Sequence, residues 1–371
     1  VIVKKKIGVL TSSRADYGIY KPLLNALSNH DRFQLTIICF GMHLLEKYGQ
    51  TINEIKRDEF GDIITVEGLL DDDAKAGIVE SYGNIVKNFK DIWESNYYDL
   101  IFALGDRFEM SAAVQSTIPY QIKIAHIHGG ETTLGAIDNI YRHQITLAST
   151  YHFPTTDLFG NKISKIIGSC DSVFPVGSIS LDKIEEDIPS WKEVAAKFSI
   201  PYSRKFVLVT IHPETVNSDD NSKFASIIGE SLLSISEDVH VVITMPNADT
   251  SASVFRTKFI ELKKLASNSF SIVENFGRLN YFAAMKSSEY LLGNTSSGII
   301  EAASFQKMVI NVGNRQAGRL RSGNVIDVTF EKKEIVKSHK EIMKNGRFLG
   351  ENLYHKKGTV SKILNILNEK L

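Results

Sequence analysis

Cysteine is nearly missing from this chain: Cys39 and Cys170 are the only two in 371 residues. Two thiols so far apart form neither a disulfide framework nor a C-x-x-C metal motif, and they suit a reducing cytosol. A charge excess is missing too. Lys+Arg and Asp+Glu number 43 each, for a formal net charge of zero, which argues against a generic nucleic-acid binder. No stretch approaches the roughly 20 apolar residues of a membrane helix, so no membrane partner is expected. The opening VIVKKKIGVL sets lysines before a few apolar residues and leads into polar TSSRAD; that run is too short for a signal peptide. With 43% apolar and 23% charged residues the composition is that of an ordinary soluble globular protein, and a cytoplasmic one is expected.

Several chemical signatures are also absent. No GxGxxG follows a strand, and there is no GxxxxGK[ST] and no HExxH, so no cofactor is expected. The triplet Asp71-Asp72-Asp73 resembles the acidic metal motif of some sugar-nucleotide transferases. It follows no strong strand end, however, and reads as a solvated acidic loop. No metal is expected.

What is present is rhythm. Short β-rich runs alternate with longer helical patterns: KIGVLTS, FQLTIICF, YDLIFALG, IKIAHIH and TYHFPTT, then VFPVGS, KFVLVTIHP, HVVITMP, FSIVENF, EYLLGN and MVINVG. Strand, helix, strand through a whole chain predicts the α/β class, with parallel sheets covered by helices on both faces. At this length two domains are the prior. The series restarts near Cys170–Ser180, so two Rossmann-like domains facing a cleft are expected. The first takes residues 1–175 plus the amphipathic C-terminal helix 355–371, and the second takes 176–354.

In open α/β sheets ligands bind beyond the carboxyl ends of the strands. The polar segments SSRAD, GDRFE, HGGE, HPET, PNAD and NTSSG occupy those positions. In Asn294–Gly298 the small residues Thr295, Ser296, Ser297 and Gly298 leave backbone N–H groups free for phosphate oxygens at a helix start. Glu301 follows, where a carboxylate can meet ribose hydroxyls, although an ordinary N-capped helix accounts for the same pattern. Arg14, Arg107, His212 and Arg315 stand at other strand ends. Each suits a packing or surface role alone; together they point to a diphosphate site.

The stretch HIHGGETTLGAIDNIYRH, residues 126–143, concentrates proton-transfer groups. His126 and His128 share a strand face, but no third ligand of suitable spacing follows. Asp138 and Arg142 are four residues apart, as a surface salt bridge would be. Asp106 and Glu131 end two strands. Carboxylates repel an anionic ligand, so three of them near a diphosphate site point to proton transfer.

With these blocks in order, and with GMHLLEKYG and VGNRQAGR, the sequence resembles the UDP-N-acetylglucosamine 2-epimerases, in particular the hydrolysing branch of sialic- and legionaminic-acid biosynthesis. The resemblance implies a glycosyltransferase-B-like fold, a UDP-sugar substrate held mainly by the second domain, and a homo-oligomer, dimer or tetramer. It makes Asp106, Glu131 and Asp138 the catalytic carboxylates. It makes Arg14, Arg107, Arg142, His212, Asn247, Ser296, Glu301 and Arg315 nucleotide or diphosphate contacts, and puts His43 in an active-site block without a fixed role. An aspartate at 138 stands where the non-hydrolysing branch has a glutamate.

The implied reaction converts UDP-N-acetylglucosamine and water to N-acetylmannosamine and UDP. Loss of UDP builds positive charge at C1, which makes the C2 proton labile. A carboxylate takes that proton, leaving a 2-acetamidoglucal. Water adds at C1 while an acid protonates C2 on the other face, so two proton-transfer groups are needed. A rival keeps this chemistry on UDP-N,N'-diacetylbacillosamine. A second rival is a UDP-sugar glycosyltransferase, which needs an acceptor; a third is a sugar-nucleotide-binding regulator, which would exchange no proton at C2.

Overall fold

The computed structural model describes residues 3–72, 74–132, 134, 137–214, 220–246 and 252–371. They form two compact units. The first takes residues up to 131, 137–184 and 354–371, and the second takes 132–136 and 185–353.

In the first unit β1 (Lys5–Thr11), β2 (Phe33–Phe40), β3 (Asp62–Val66), β4 (Leu100–Leu104), β5 (Ile124–Ile127) and β6 (Tyr151–Phe153) form one sheet in the order β3-β2-β1-β4-β5-β6. Every pairing is parallel. Alternation along the strands sends side chains to two cores. Ile7, Val9, Ile37, Leu100 and Phe102 pack with Leu23, Leu24 and Leu27 of helix Arg14–Ser28 and with Val360, Ile363 and Leu367 of helix Thr359–Lys370. Leu10, Ile38, Ile101 and Ala103 pack on the opposite face with Ile85, Phe89 and Trp93 of helix Lys75–Ser95. Burial on both faces explains why the strands read as continuous apolar runs.

The second unit repeats the plan. Strands β7 (Phe206–Thr210), β8 (His240–Thr244), β9 (Phe270–Val273), β10 (Leu291–Gly293), β11 (Val309–Val312) and β12 (Val325–Val328) are ordered β12-β11-β10-β7-β8-β9, again all parallel. Counted within its own unit, each sheet runs 3-2-1-4-5-6, the doubly wound order. The order reverses between β1 and β4 in one unit and between β7 and β10 in the other, so those strand ends are the topological switch points.

Two expectations about elements change, and two strands went unread. VFPVGS is no strand: it contributes one isolated bridge, His152 to Val173. The edge strands β3 and β12 were not legible. Their exposure patterns are mixed, without an apolar run to mark them. The His126–His128 strand face also fails, because β5 ends at Ile127 and His128 turns to φ +62°.

Candidate active site

At the first switch point the chain leaves β1 through Ser12, Ser13 and Arg14. Ser13 and Asp16 form a capping box at the start of helix Arg14–Ser28, the S-x-x-acid pattern that satisfies otherwise orphaned helix amides. Asp16 Oδ2 accepts from the amides of Ser12 at 2.9 Å and Ser13 at 3.1 Å. Burial opposes its charge, yet hydrogen bonding and attraction from His43, with Thr11 and the Ser12 amide, hold it below the ordinary carboxylate value. His43 is fully buried, its Nε2 2.9 Å from Thr11 Oγ1 and its Nδ1 2.7 Å from Thr51 Oγ1. It therefore serves to hold the end of β1, while Arg14 is exposed.

The adjacent end, after β4, carries Asp106 and Arg107. Gly105 there has φ +80°, a left-handed turn that glycine takes freely. His126 pins this turn: its Nε2 donates to the Gly105 carbonyl at 2.9 Å and its Nδ1 accepts from Thr146 Oγ1 at 3.2 Å. Burial pushes His126 down to about 3, so the neutral ring works as a brace for the loop of Asp106.

Arg142, 2% exposed, then ties two strand ends together. It stands on helix Asp138–Ala148; its Nη2 pairs with Asp106 Oδ2, and its Nη1 donates to the Glu131 carbonyl at 2.6 Å and to Asn139 Oδ1 at 2.8 Å. One guanidinium thus gathers residues 106 and 131 at neighbouring strands β4 and β5. The Glu131 side chain is 2% exposed and accepts from Thr155 Oγ1 at 3.4 Å. Asp138 opens the helix and is half-buried. Arg107 is gripped by Glu109 at 2.8 and 3.2 Å. Attraction to Glu109, and then to Asp138 and Asp16, holds its proton more tightly than in water. Asp71 of the acidic triplet pairs with Lys47 at 2.7 Å, as a surface loop would; Asp73 lies outside the described residues.

The second switch point is built from amides and hydroxyls. Asn294, fully buried, accepts from the His212 amide and donates to the His212 carbonyl, both at 2.8 Å, clamping the ends of β7 and β10. Thr295 caps helix Ser296–Ile300, accepting from the Ser297 amide. That helix has only five residues, so its dipole adds less than a long helix would, and the Ser297 amide is already used. Glu301 ends it, buried to 8% exposure, beside Arg278. Tyr281 places its hydroxyl 2.9 Å from Ser297 Oγ and 3.3 Å from Thr210 Oγ1. Arg315 Nη1 and Gln316 Nε2 both donate to the Asn294 carbonyl, at 3.2 and 2.9 Å. Glu214 fixes their loop by accepting from the Asn314 amide at 2.6 Å.

The site residues inferred from sequence thus gather in two sets. Arg14, His43, Asp106, Arg107, Glu131, Asp138 and Arg142 stand at the strand ends of the first unit. His212, Thr295, Ser296, Ser297, Gly298, Glu301 and Arg315 stand at those of the second. Asn247 lies outside the described residues. Sequence reasoning passed over Asp16, Thr155, Glu214, Tyr281 and Gln316. Asp16 had a signal in its capping box; Tyr281 and Thr155 had none, because packing alone brings them to Ser297 and Glu131.

The family model described as UDP-N-acetylglucosamine 2-epimerase matches residues 25–368. The chain is 32% identical over 352 residues, 94% of its length and 92% of the relative's, to "UDP-N,N'-diacetylbacillosamine 2-epimerase (hydrolyzing)" of Legionella pneumophila. It is 34% identical over 336 residues, covering 90% of this chain and 85% of the relative, to "Polysialic acid biosynthesis protein P7" of Escherichia coli. Among solved structures, the UDP-GlcNAc 2-epimerase of Neisseria meningitidis bound to UDP-GlcNAc superposes with a TM-score of 0.80 at 18% identity, covering 98% of this chain and 100% of that one. That likeness shows the fold, glycosyltransferase-B-like. The family match over most of the chain, with relatives above 30% identity along nearly its full length, makes this protein a member of the UDP-N-acetylglucosamine 2-epimerase family.

Proposed function

We propose that the chain is a hydrolysing UDP-N-acetylglucosamine 2-epimerase, releasing N-acetylmannosamine and UDP. Asp106, Glu131 and Asp138 carry the proton transfers, and the strand ends of the second unit, with Arg14 and Arg107, hold the nucleotide. The observation behind this reading is Arg142, which draws together two acidic residues at adjacent strand ends. A carboxylate removes the C2 proton as the C1–O bond to UDP breaks, giving UDP and a 2-acetamidoglucal. Water then adds its oxygen to C1 and gives up one proton to a carboxylate, while a carboxylic acid delivers a proton to C2 on the opposite face. The cations at the strand ends offset the charge of the departing diphosphate. No step asks for hydride transfer, which accords with the missing dinucleotide motif.

The Legionella relative favours one second reading, the same reaction on UDP-N,N'-diacetylbacillosamine. The two are separated by incubating the protein with each UDP-sugar in deuterated water, without an acceptor, and identifying products by NMR. The expected result is UDP plus a free 2-epimeric sugar carrying deuterium at C2. UDP binding with no C2 exchange from either substrate would defeat both readings. We also take the protein to be a cytoplasmic homo-oligomer, which light scattering on the purified chain tests for assembly.

A further inference from the structure

The amino ends of the strands in the second unit, opposite the ends that carry His212 and Asn294, border a small polar cavity. It measures about 150 Å³, and Lys286, Ser288, Glu289, Lys307, Gly346 and Arg347 are in its lining. Lys307 stands just before β11 and is 4% exposed. Its Nζ donates to the Ser288 carbonyl at 2.5 Å. Ser288 is the C-cap of helix Arg278–Ser287, so this bond serves a helix end whose last carbonyls lack partners within the helix. One cation is enough for that task.

The cavity holds more than one. Lys286 and Arg347 are exposed at its rim, and among the described residues neither side chain has a hydrogen bond or an ion pair. Lys307 itself donates only to Ser288, which leaves two of the three N–H donors of its ammonium for whatever fills the cavity. Glu289 is the one carboxylate of the lining, and it is shared with Lys205, 3.8 Å away. Burial, and then repulsion from Arg347, pushes Lys307 down to about 8 against the attraction of Glu289. Positive charge here is therefore under-compensated, and a buried charge without a partner is costly.

We propose that this cavity binds a small, doubly charged oxyanion of the inorganic phosphate class, held by Lys307 at its buried wall and by Arg347 and Lys286 at its rim. Three cations against one carboxylate leave an excess that two negative charges match. A guanidinium fork suits two oxygens of one tetrahedral anion, and an ammonium acts as a point charge beside them. The volume equals that of about five waters at about 30 Å³ each. Pockets for drug-sized ligands begin near about 300 Å³, so a nucleoside diphosphate is excluded. Water alone would fill the space but leave the excess of charge in place. The carbonyls ending helix Arg278–Ser287 oppose an anion, and the bond from Lys307 to Ser288 offsets that opposition.

The test uses the full chain and inorganic phosphate, titrated by calorimetry with UDP present so that the nucleotide site at the opposite strand ends is filled. One phosphate per chain is expected. Tm should rise with phosphate by more than it does in chloride of equal ionic strength. Arg347→Gln and Lys286→Gln remove exposed charges and should leave the phosphate-free Tm and UDP affinity unchanged. They should weaken phosphate binding by about tenfold and about threefold. Lys307→Met should abolish it; this variant also strips the partner from the Ser288 carbonyl, so if it fails to fold the two exposed variants decide. Acetate, with a single charge, should bind about tenfold more weakly than phosphate. Phosphate affinity unchanged in Arg347→Gln and Lys286→Gln, a Tm gain matched by chloride, or acetate binding as well as phosphate would overturn the proposal. So would a loss of phosphate binding that tracks a loss of UDP binding, since it would place the phosphate at the nucleotide site.

Discussion

Arg142 was legible as a charged residue four positions from Asp138, and its spacing suited an exposed ion pair. The structure buries it and gives its guanidinium to Asp106 and the Glu131 carbonyl. Arg142→Met keeps the bulk of the stem and removes the donors. It should lower the unfolding free energy by about 2 kcal/mol, seen as a drop in urea midpoint, because Asp106 and the carbonyl lose their partner. UDP affinity measured by calorimetry should change by less than about threefold while kcat falls about a hundredfold, since 1.4 kcal/mol is already a tenfold effect. A large loss of UDP affinity with kcat intact would instead assign this guanidinium to the diphosphate. Asp16 allows a pH prediction at the same scale. Its carboxyl is held below the ordinary 3.8 in the folded protein. It therefore stabilises the fold above that value and stops doing so as pH falls through its lowered one. Asp16→Asn should be less stable by about 1–2 kcal/mol at pH 7, and the gap to wild type should close in acid. Thermal midpoints across pH 2–7 check this; a gap that stays constant would show that the charge contributes nothing.

Elements position these groups through close backbone approach. At Gly293 an added Cβ would sit 1.9 Å from the Thr210 carbonyl oxygen, so no side chain fits while β7 and β10 remain paired. Gly293→Ala must separate the two strands at the switch point, at a cost of about 3 kcal/mol. The Asn294 clamp on His212 shifts with it, so UDP affinity should fall together with stability, readable by calorimetry and by thermal unfolding. Normal UDP binding in this variant would mean that the β7–β10 junction does not shape the nucleotide site. Most strands were legible as apolar runs ending in polar residues, because parallel strands are buried on both faces. β3 and β12 escaped because edge strands carry polar, half-exposed residues. VFPVGS misled because an apolar run does not itself supply a neighbour to pair with.

At the scale of the whole molecule, the last helix belongs to the first unit although it follows the second in sequence. Val360, Ile363 and Leu367 of Thr359–Lys370 are at most 5% exposed and lie in the core beside Tyr20 and Leu24. Removing residues 354–371 strips three aliphatic side chains from that core, about 1.5–3 kcal/mol each. The first unit should unfold at lower urea, while UDP, added as ligand, still raises the midpoint of the second. Hydrogen exchange resolved by peptide separates the two; equal loss of protection in both units would contradict the division.

Taken alone, the order of residues determined the class of fold, the recurring strand ends and the chemical types gathered there, since periodicity and turn chemistry are local properties. It also carried the family, whose blocks are contiguous. Tertiary structure decided which of those groups are free and which are engaged: Arg142 with Asp106, His126 with Gly105, Glu214 with the loop of Arg315. Those partners are separated by anything from 21 to 100 residues, and only packing of the sheet and its helices brings their atoms within reach.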